Sequence, residues 1–233
     1  MQHLRFSIGI LSWRGYDSLI NSLLSYEKNG LSYLTNDKFI CLPEYTKEGI
    51  QIAKKFNYEP ILIKNNKGIL EGFKILAEQM PNGPLLLLEN DLPLVENKKT
   101  TYDQLKISLE LLSRPRVIQI RLRNRCQPGE PFIGFQKYND YWSDNLISFT
   151  KRFLRPFKAR KLIGTSTYIL SDPNKRHPNQ IKEISDGFFI VSSSVLNWAN
   201  LAILVDRDRY LDKIIKKAEI IKTKKRINGF KNI

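Results

Sequence analysis

Hydrophobic and polar positions switch between two periods along the first half of the chain. Short apolar runs at 6–11, 39–42, 61–63, 85–88 and 117–122 have the length and residue types of buried strands. Between them apolar residues recur at helical spacing. Leu19, Ile20, Leu23 and Leu24 mark a helix over 17–28, and Ile50, Ile52 and Ala53 mark one that Thr46 can cap and that ends near Phe56. Two more are expected over 69–79 and 101–112. Strand–helix alternation at this spacing predicts βαβ units. The expected fold is α/β: a Rossmann-like domain with a central, mostly parallel sheet and helices on both faces.

After Arg123 the rhythm breaks. The stretch 125–143 is rich in Gly, Pro and aromatics (Pro128, Gly129, Pro131, Phe132, Gly134, Phe135, Tyr138, Tyr141, Trp142) and reads as a long loop, often a substrate-binding feature, or as an excursion from the sheet. Strand patterns resume over 162–170 and 188–191. Leu211, Ile214, Ile215 and Ala218 then predict a closing amphipathic helix whose other face is basic. With no internal repeat and no linker, one domain over 1–233 is expected: a first half to 95, a second over 96–205 and a basic helix over 206–233.

At 233 residues, 42% hydrophobic and 26% charged, the chain has the profile of an ordinary globular protein. No apolar run approaches the length that crosses a bilayer, and the N-terminus enters a strand pattern at once, so no secretory signal is expected. Cys41 and Cys126 lack any motif spacing, and Cys41 lies in a strand pattern, which favours a buried thiol and a reducing, cytoplasmic setting. The formal charge of +15 is concentrated. Lys151, Arg152, Arg155, Lys158, Arg160 and Lys161 follow one another without an acid between them, and basic residues dominate again from Arg207 onward. Such patches attract phosphorylated small molecules, anionic lipid or nucleic acid.

Chemistry concentrates where the run Leu85-Leu86-Leu87-Leu88 stops on Glu89-Asn90-Asp91. A strand apolar on both faces belongs to the middle of a parallel sheet, and open α/β sheets bind ligands at the carboxyl ends of such strands. Two carboxylates at i and i+2 suit a hard divalent cation, magnesium or manganese, shared with a substrate's phosphates. Solvated turn acids ahead of Pro93 are the plainer alternative.

Taken with its neighbours, this order of features resembles the nucleotide-sugar half of A-type fold (GT-A) glycosyltransferases, especially glycosyltransferase family 2. Four landmarks over residues 6–95 carry the resemblance. The opening strand runs into the polar turn Ser12-Trp13-Arg14-Gly15-Tyr16. The second strand is followed by Pro43 and the acid Glu44. The third leads into Asn65-Asn66-Lys67-Gly68 and a helix. The fourth ends on Glu89-Asn90-Asp91, in the place of the family's D-x-D signature. Two departures stand out: Glu rather than Asp at the first acidic position, and an unusual Ser12-Trp13-Arg14 turn. The resemblance implies a metal-dependent, inverting transferase using a nucleoside-diphosphate sugar, expected to be UDP-linked, and a hydroxyl acceptor such as a glycan. It places Ser12, Trp13, Arg14, Glu44, Asn66, Lys67, Gly68, Glu89 and Asn90 against the donor. It makes Asp91 a ligand of Mn2+ or Mg2+, with Glu89 on the metal or the ribose.

The second half matches the family only loosely. Asp186, before the apolar 188–191, falls near the family's catalytic base, with Asp172 in reserve, and His177 is a third candidate metal ligand. Arg121, Arg123 and Arg125 could meet phosphate from one strand face, and Trp142 and Trp198 could stack on a sugar or pack in a core. No zinc spacing, Walker loop, dinucleotide fingerprint or serine-hydrolase motif occurs. Competing readings are a sugar nucleotidyltransferase, against which the missing Gly-rich Arg-Lys loop counts, and a non-catalytic protein binding nucleic acid or an anionic membrane through its basic patches. A peripheral membrane contact through the basic C-terminal helix is compatible with the leading reading, and nucleic acid is not the partner it expects.

Overall fold

The computed structural model describes residues 3–124, 133–185, 187–196 and 198–225. The chain forms two compact units: Met1–Leu122 with Ala199–Ile233, and Arg123–Trp198.

The first unit opens with three strand–helix pairs: β1 (Ser7–Leu11) and α1 (Tyr16–Lys28), β2 (Lys38–Pro43) and α2 (Lys47–Lys55), β3 (Glu59–Ile63) and α3 (Ile69–Gln79). Next come β4 (Pro84–Glu89), α4 (Lys98–Leu112) and β5 (Gln119–Arg121). These follow the hydrophobic pattern closely. Thr46 caps α2 by accepting a hydrogen bond from the Gly49 amide, as its position predicts. β1, β2, β3 and β4 are mutually parallel, and residues such as Ile8, Ile10, Ile40, Leu85 and Leu87 have essentially no exposure. That is why their sequences are near-continuous apolar runs. α3 packs on β1 and β2. A Cβ at Gly9 of β1 would come within 2.6 Å of Met80 Sδ, so glycine there lets the helix end approach the sheet.

The strand order is β3-β2-β1-β4-β8-β5. The chain steps outward from β1 to β2 and β3, then returns to the other side of β1 as β4. The order therefore reverses between β1 and β4, and the crevice at their carboxyl ends is the topological switch point. β8 (Ile203–Asp206) lies antiparallel between β4 and β5. The hydrophobic pattern did not reveal it: four residues after an irregular stretch are too short to show a period, and only pairing on both sides makes them a strand. α9 (Arg207–Arg209), a π turn over Tyr210–Ile215 and α10 (Lys216–Lys225) close the unit. Tyr210, Ile214, Ile215 and Ala218 are buried, and Lys74 Nζ bonds Glu219 Oε1 at 2.7 Å. The apolar stripe predicted for this helix is thus packed within the unit.

The second unit contains α5 (Ile133–Trp142), α6 (Leu146–Leu154), α7 (Pro156–Leu162), α8 (Pro173–Arg176) and the hairpin β6 (Ile181–Ser185) and β7 (Phe188–Val191). Two expectations are corrected here. The described part of the expected loop over 125–143 is mostly helix α5, because Tyr138, Tyr141 and Trp142 recur at helical spacing and bury one face. The expected strand over 162–170 is the end of α7 followed by a 3-10 turn over Ile163–Tyr168, with Ile163 packed beside Ile181 and Val195. Trp142 is a core residue, its Nε1 donating to the Ala159 carbonyl.

Candidate functional site

The expected donor-side residues converge at the carboxyl edge of the parallel strands. β1 ends at Leu11, which pairs with Cys41 of β2 on one side and Glu89 of β4 on the other. Ser12 is fully buried just beyond, its amide donating to the Cys41 carbonyl. The next turn swings outward. Trp13 Nε1 donates to Glu44 Oε2 at 2.9 Å, and the Arg14 guanidinium lies 3.6 Å from that oxygen and 5.7 Å from the Trp13 ring. An exposed ion pair of this kind adds little stability. The backbone is less ordinary: Arg14 (φ 56°) and Glu44 (φ 51°) both occupy the left-handed region that side chains with a Cβ avoid. Strain of about 1–3 kcal/mol at each persists only where surroundings impose it, and such residues gather at functional sites.

The acidic segment abuts this turn. Asn90 Nδ2 donates to the Gly15 carbonyl at 3.2 Å, joining the end of β4 to the start of α1. Gly15 has φ 64°, and an added Cβ would sit 2.9 Å from Asn90 Nδ2, so both the turn and its neighbour require glycine. Below it, one face of α1 holds the chain from Asn90 to Leu94. Ser22 Oγ donates to the Asn90 carbonyl, Tyr26 Oη to that of Leu92 and Asn29 Nδ2 to that of Leu94, while Ser25 Oγ accepts from the Leu94 amide. The positions i, i+3, i+4 and i+7 form one helical stripe. Sequence inspection passed over it, although Ser22, Ser25, Tyr26 and Asn29 share one face of the helix at i, i+3, i+4 and i+7 spacing.

Glu89 is half-buried and Asp91 exposed. Burial, and then the neighbouring Asp91 charge, push the Glu89 carboxyl above the usual range. A half-buried carboxylate whose ionisation is opposed in this way is a donor that a nearby cation relieves. Among the described residues no group of three or more His, Cys, Asp or Glu could hold a metal. Glu89 and Asp91 alone would leave most of a divalent cation's shell to ligands from outside the protein.

Along the same edge, Asn66 Oδ1 accepts from the Gly68 amide at 2.8 Å and turns the chain into α3. Asn65, Lys67 and Gly68, with Pro43, Ile63 and Glu71, line a shallow groove. Tyr16 Oη and Thr46 Oγ1, 2.7 Å apart, link α1 to the cap of α2. Asp172 and His177 belong to the second unit. Asp172 precedes α8 and pairs with Lys175 at 3.1 Å. His177 is enclosed inside the second unit, its Nε2 2.9 Å from Tyr138 Oη and its ring edge-on to Trp142. Asp186 and Arg125 lie outside the described residues.

No protein-family model matches the chain, and no curated protein matches it in sequence. Among solved structures, TarS 1-349 from S. aureus aligns over 46% of this chain and 33% of its own, at 18% identity and a TM-score of 0.39. A cytidylyltransferase from Leptospira borgpetersenii serovar Hardjo-bovis aligns over 50% of this chain and 53% of its own, also at 18% identity and TM-score 0.39. The chain thus spans about a third and about half of the two structures it is similar to, and similarity at this level leaves function to the residues themselves.

Proposed function

We propose that this chain is a metal-dependent glycosyltransferase that takes its sugar from a nucleoside-diphosphate donor, with UDP as the carrier. The observation that carries the reading is the meeting of three strand ends at the switch point. The Ser12–Gly15 turn touches Glu44 on one side and the Glu89–Asp91 segment on the other, at the edge where the strand order reverses between β1 and β4. Glu44, oriented by Trp13 and Arg14, accepts hydrogen bonds from the base or ribose. Backbone and side-chain donors of Asn66, Lys67 and Gly68 meet the nucleotide from the adjoining groove. Glu89 and Asp91 hold Mn2+ or Mg2+; when bound, the cation supplies electrophilic stabilisation of the departing diphosphate. α1 sets where those carboxylates stand through its stripe of Ser22, Ser25, Tyr26 and Asn29. For the base that would take the acceptor hydroxyl's proton, the resemblance offers Asp186, with Asp172 as the alternative.

A panel of nucleotide sugars screened by thermal shift, with and without manganese, tests this. A donor at 100 times its Kd stabilises the fold by about 2.7 kcal/mol. The expected hit is a UDP-sugar whose shift requires manganese and disappears in Asp91→Asn, with Glu89→Gln weakened. A panel without any hit, or a hit that Asp91→Asn leaves unchanged, overturns the assignment.

A further inference from the structure

The second unit wears one of its helices inside out. α6 faces the unit with polar side chains: Ser148 is buried with its Oγ donating to the Asn139 carbonyl, Arg152 donates to the Tyr141 carbonyl, and Lys151 pairs with Asp140. Arg152 also covers the Trp142 ring at 5.2 Å. The apolar residues point the other way. Leu146 is 85% exposed, Ile147 69%, Phe149 60%, Phe153 79% and Leu154 69%, and Phe157 at the start of α7 is 84% exposed. A helix normally buries its apolar stripe, and exposed apolar patches of this kind mark surfaces that meet an apolar partner.

Charge identifies the partner. Arg155 and Lys158 are exposed beside Phe153, Leu154 and Phe157. Arg160, also exposed, donates to Ser194 Oγ, and Lys158 lies over the Tyr141 ring at 5.4 Å. Two acids close by in the chain, Asp140 and Asp144, are already paired with Lys151 and Arg176. A second copy of the chain docked face to face would bring these cations together. Nucleic acid would satisfy the cations but leave Leu146, Ile147 and Leu154 in water. An anionic bilayer surface satisfies both, since its acyl boundary takes the apolar side chains while its headgroups take the basic ones.

We propose that α6 and the start of α7 form an interfacial anchor that seats this unit on an anionic membrane, with Phe149, Phe153, Leu154 and Phe157 inserted and Arg155 and Lys158 at the headgroup level. The anchor differs from the basic C-terminal helix, whose apolar face is buried. Vesicle binding needs no nucleotide sugar, so this test stands or falls apart from the transferase reading.

Flotation of the full chain with phosphatidylcholine vesicles, with and without phosphatidylglycerol, reads it out. Capture is expected on the anionic vesicles, much less on the neutral ones, and reduced by salt. Phe153→Ser with Phe157→Ser should weaken binding at least about tenfold, because each removes an inserted ring. Arg155→Ala and Lys158→Ala should each cost about fivefold. All four side chains are exposed, so circular dichroism should show the variants folded. No capture by anionic vesicles, or capture indifferent to the phenylalanine substitutions, overturns the proposal. So does a lipid-free dimer in sedimentation that those substitutions dissolve.

Discussion

The stripe on α1 predicts that a single buried hydroxyl controls the acidic segment. Tyr26 is 1% exposed and its Oη donates to the Leu92 carbonyl at 2.7 Å. Tyr26→Phe keeps the ring and nearly all the volume, so packing is preserved while the hydrogen bond is lost. What changes is one carbonyl left unpaired in the interior, a cost of about 1–3 kcal/mol. At roughly 2–4 °C per kcal/mol for a chain of this size, the melting temperature should fall by about 2–12 °C. Thermal denaturation followed by circular dichroism measures this directly. Tyr33→Phe supplies the control, since Tyr33 is 60% exposed and its loss should leave the melt unchanged. Because Leu92 follows Asp91, the same variant should also weaken manganese-dependent nucleotide binding. If Tyr26→Phe melts with the parent, α1 does not hold the segment in this way, and the account of how the carboxylates are placed fails.

Three further outcomes are expected. Burial, reinforced by the Arg176 charge, pushes His177 down from about 6.5 to about 4, so it stays neutral in the folded unit while the unfolded chain takes up a proton. Stability should therefore be full above about pH 6.5 and fall as the pH drops toward 4, by at most about 3 kcal/mol. Urea midpoints across that window should show the slope, and His177→Phe should flatten it. Burial likewise pushes the Cys41 thiol up to about 12, and the side chain is fully enclosed. Iodoacetamide followed by peptide mass spectrometry should modify Cys41 only in denaturant, and native-state labelling would contradict its burial. Gly15→Ala should cost about 1–2 kcal/mol, since it forces a Cβ into the left-handed region and displaces Asn90. An unchanged urea midpoint would show that the turn relaxes freely.

Legibility in the sequence followed the locality of the signal. β1 to β4 and the helices between them were readable because each buries a surface that repeats every two or 3.6 residues, and the Thr46 cap is a contact three residues long. β8 and α5 were not. β8 exists through pairing with β4 and β5, and α5 lies in a stretch whose Gly, Pro and aromatic content resembles a loop until its tyrosines find a core. The site residues Glu89, Asn90 and Asp91 were legible as the end of a buried strand. The attachment of this segment to Gly15, Ser22, Tyr26 and Asn29 was not, because those bonds join residues 65 or more positions apart along the chain.

By itself the sequence determined the alternation of strands and helices, the parallel core and the acids at the end of its central strand, all consequences of burying a periodic apolar surface. Tertiary structure alone decided two things. It decided that the strand order reverses between β1 and β4, which brings Trp13, Glu44 and Asn90 to one edge. It also decided which amphipathic face is hidden, burying the stripe of the C-terminal helix and turning that of α6 outward. The physical reason is common to both. Periodicity specifies that a face must be covered, and only the packed neighbours specify by what.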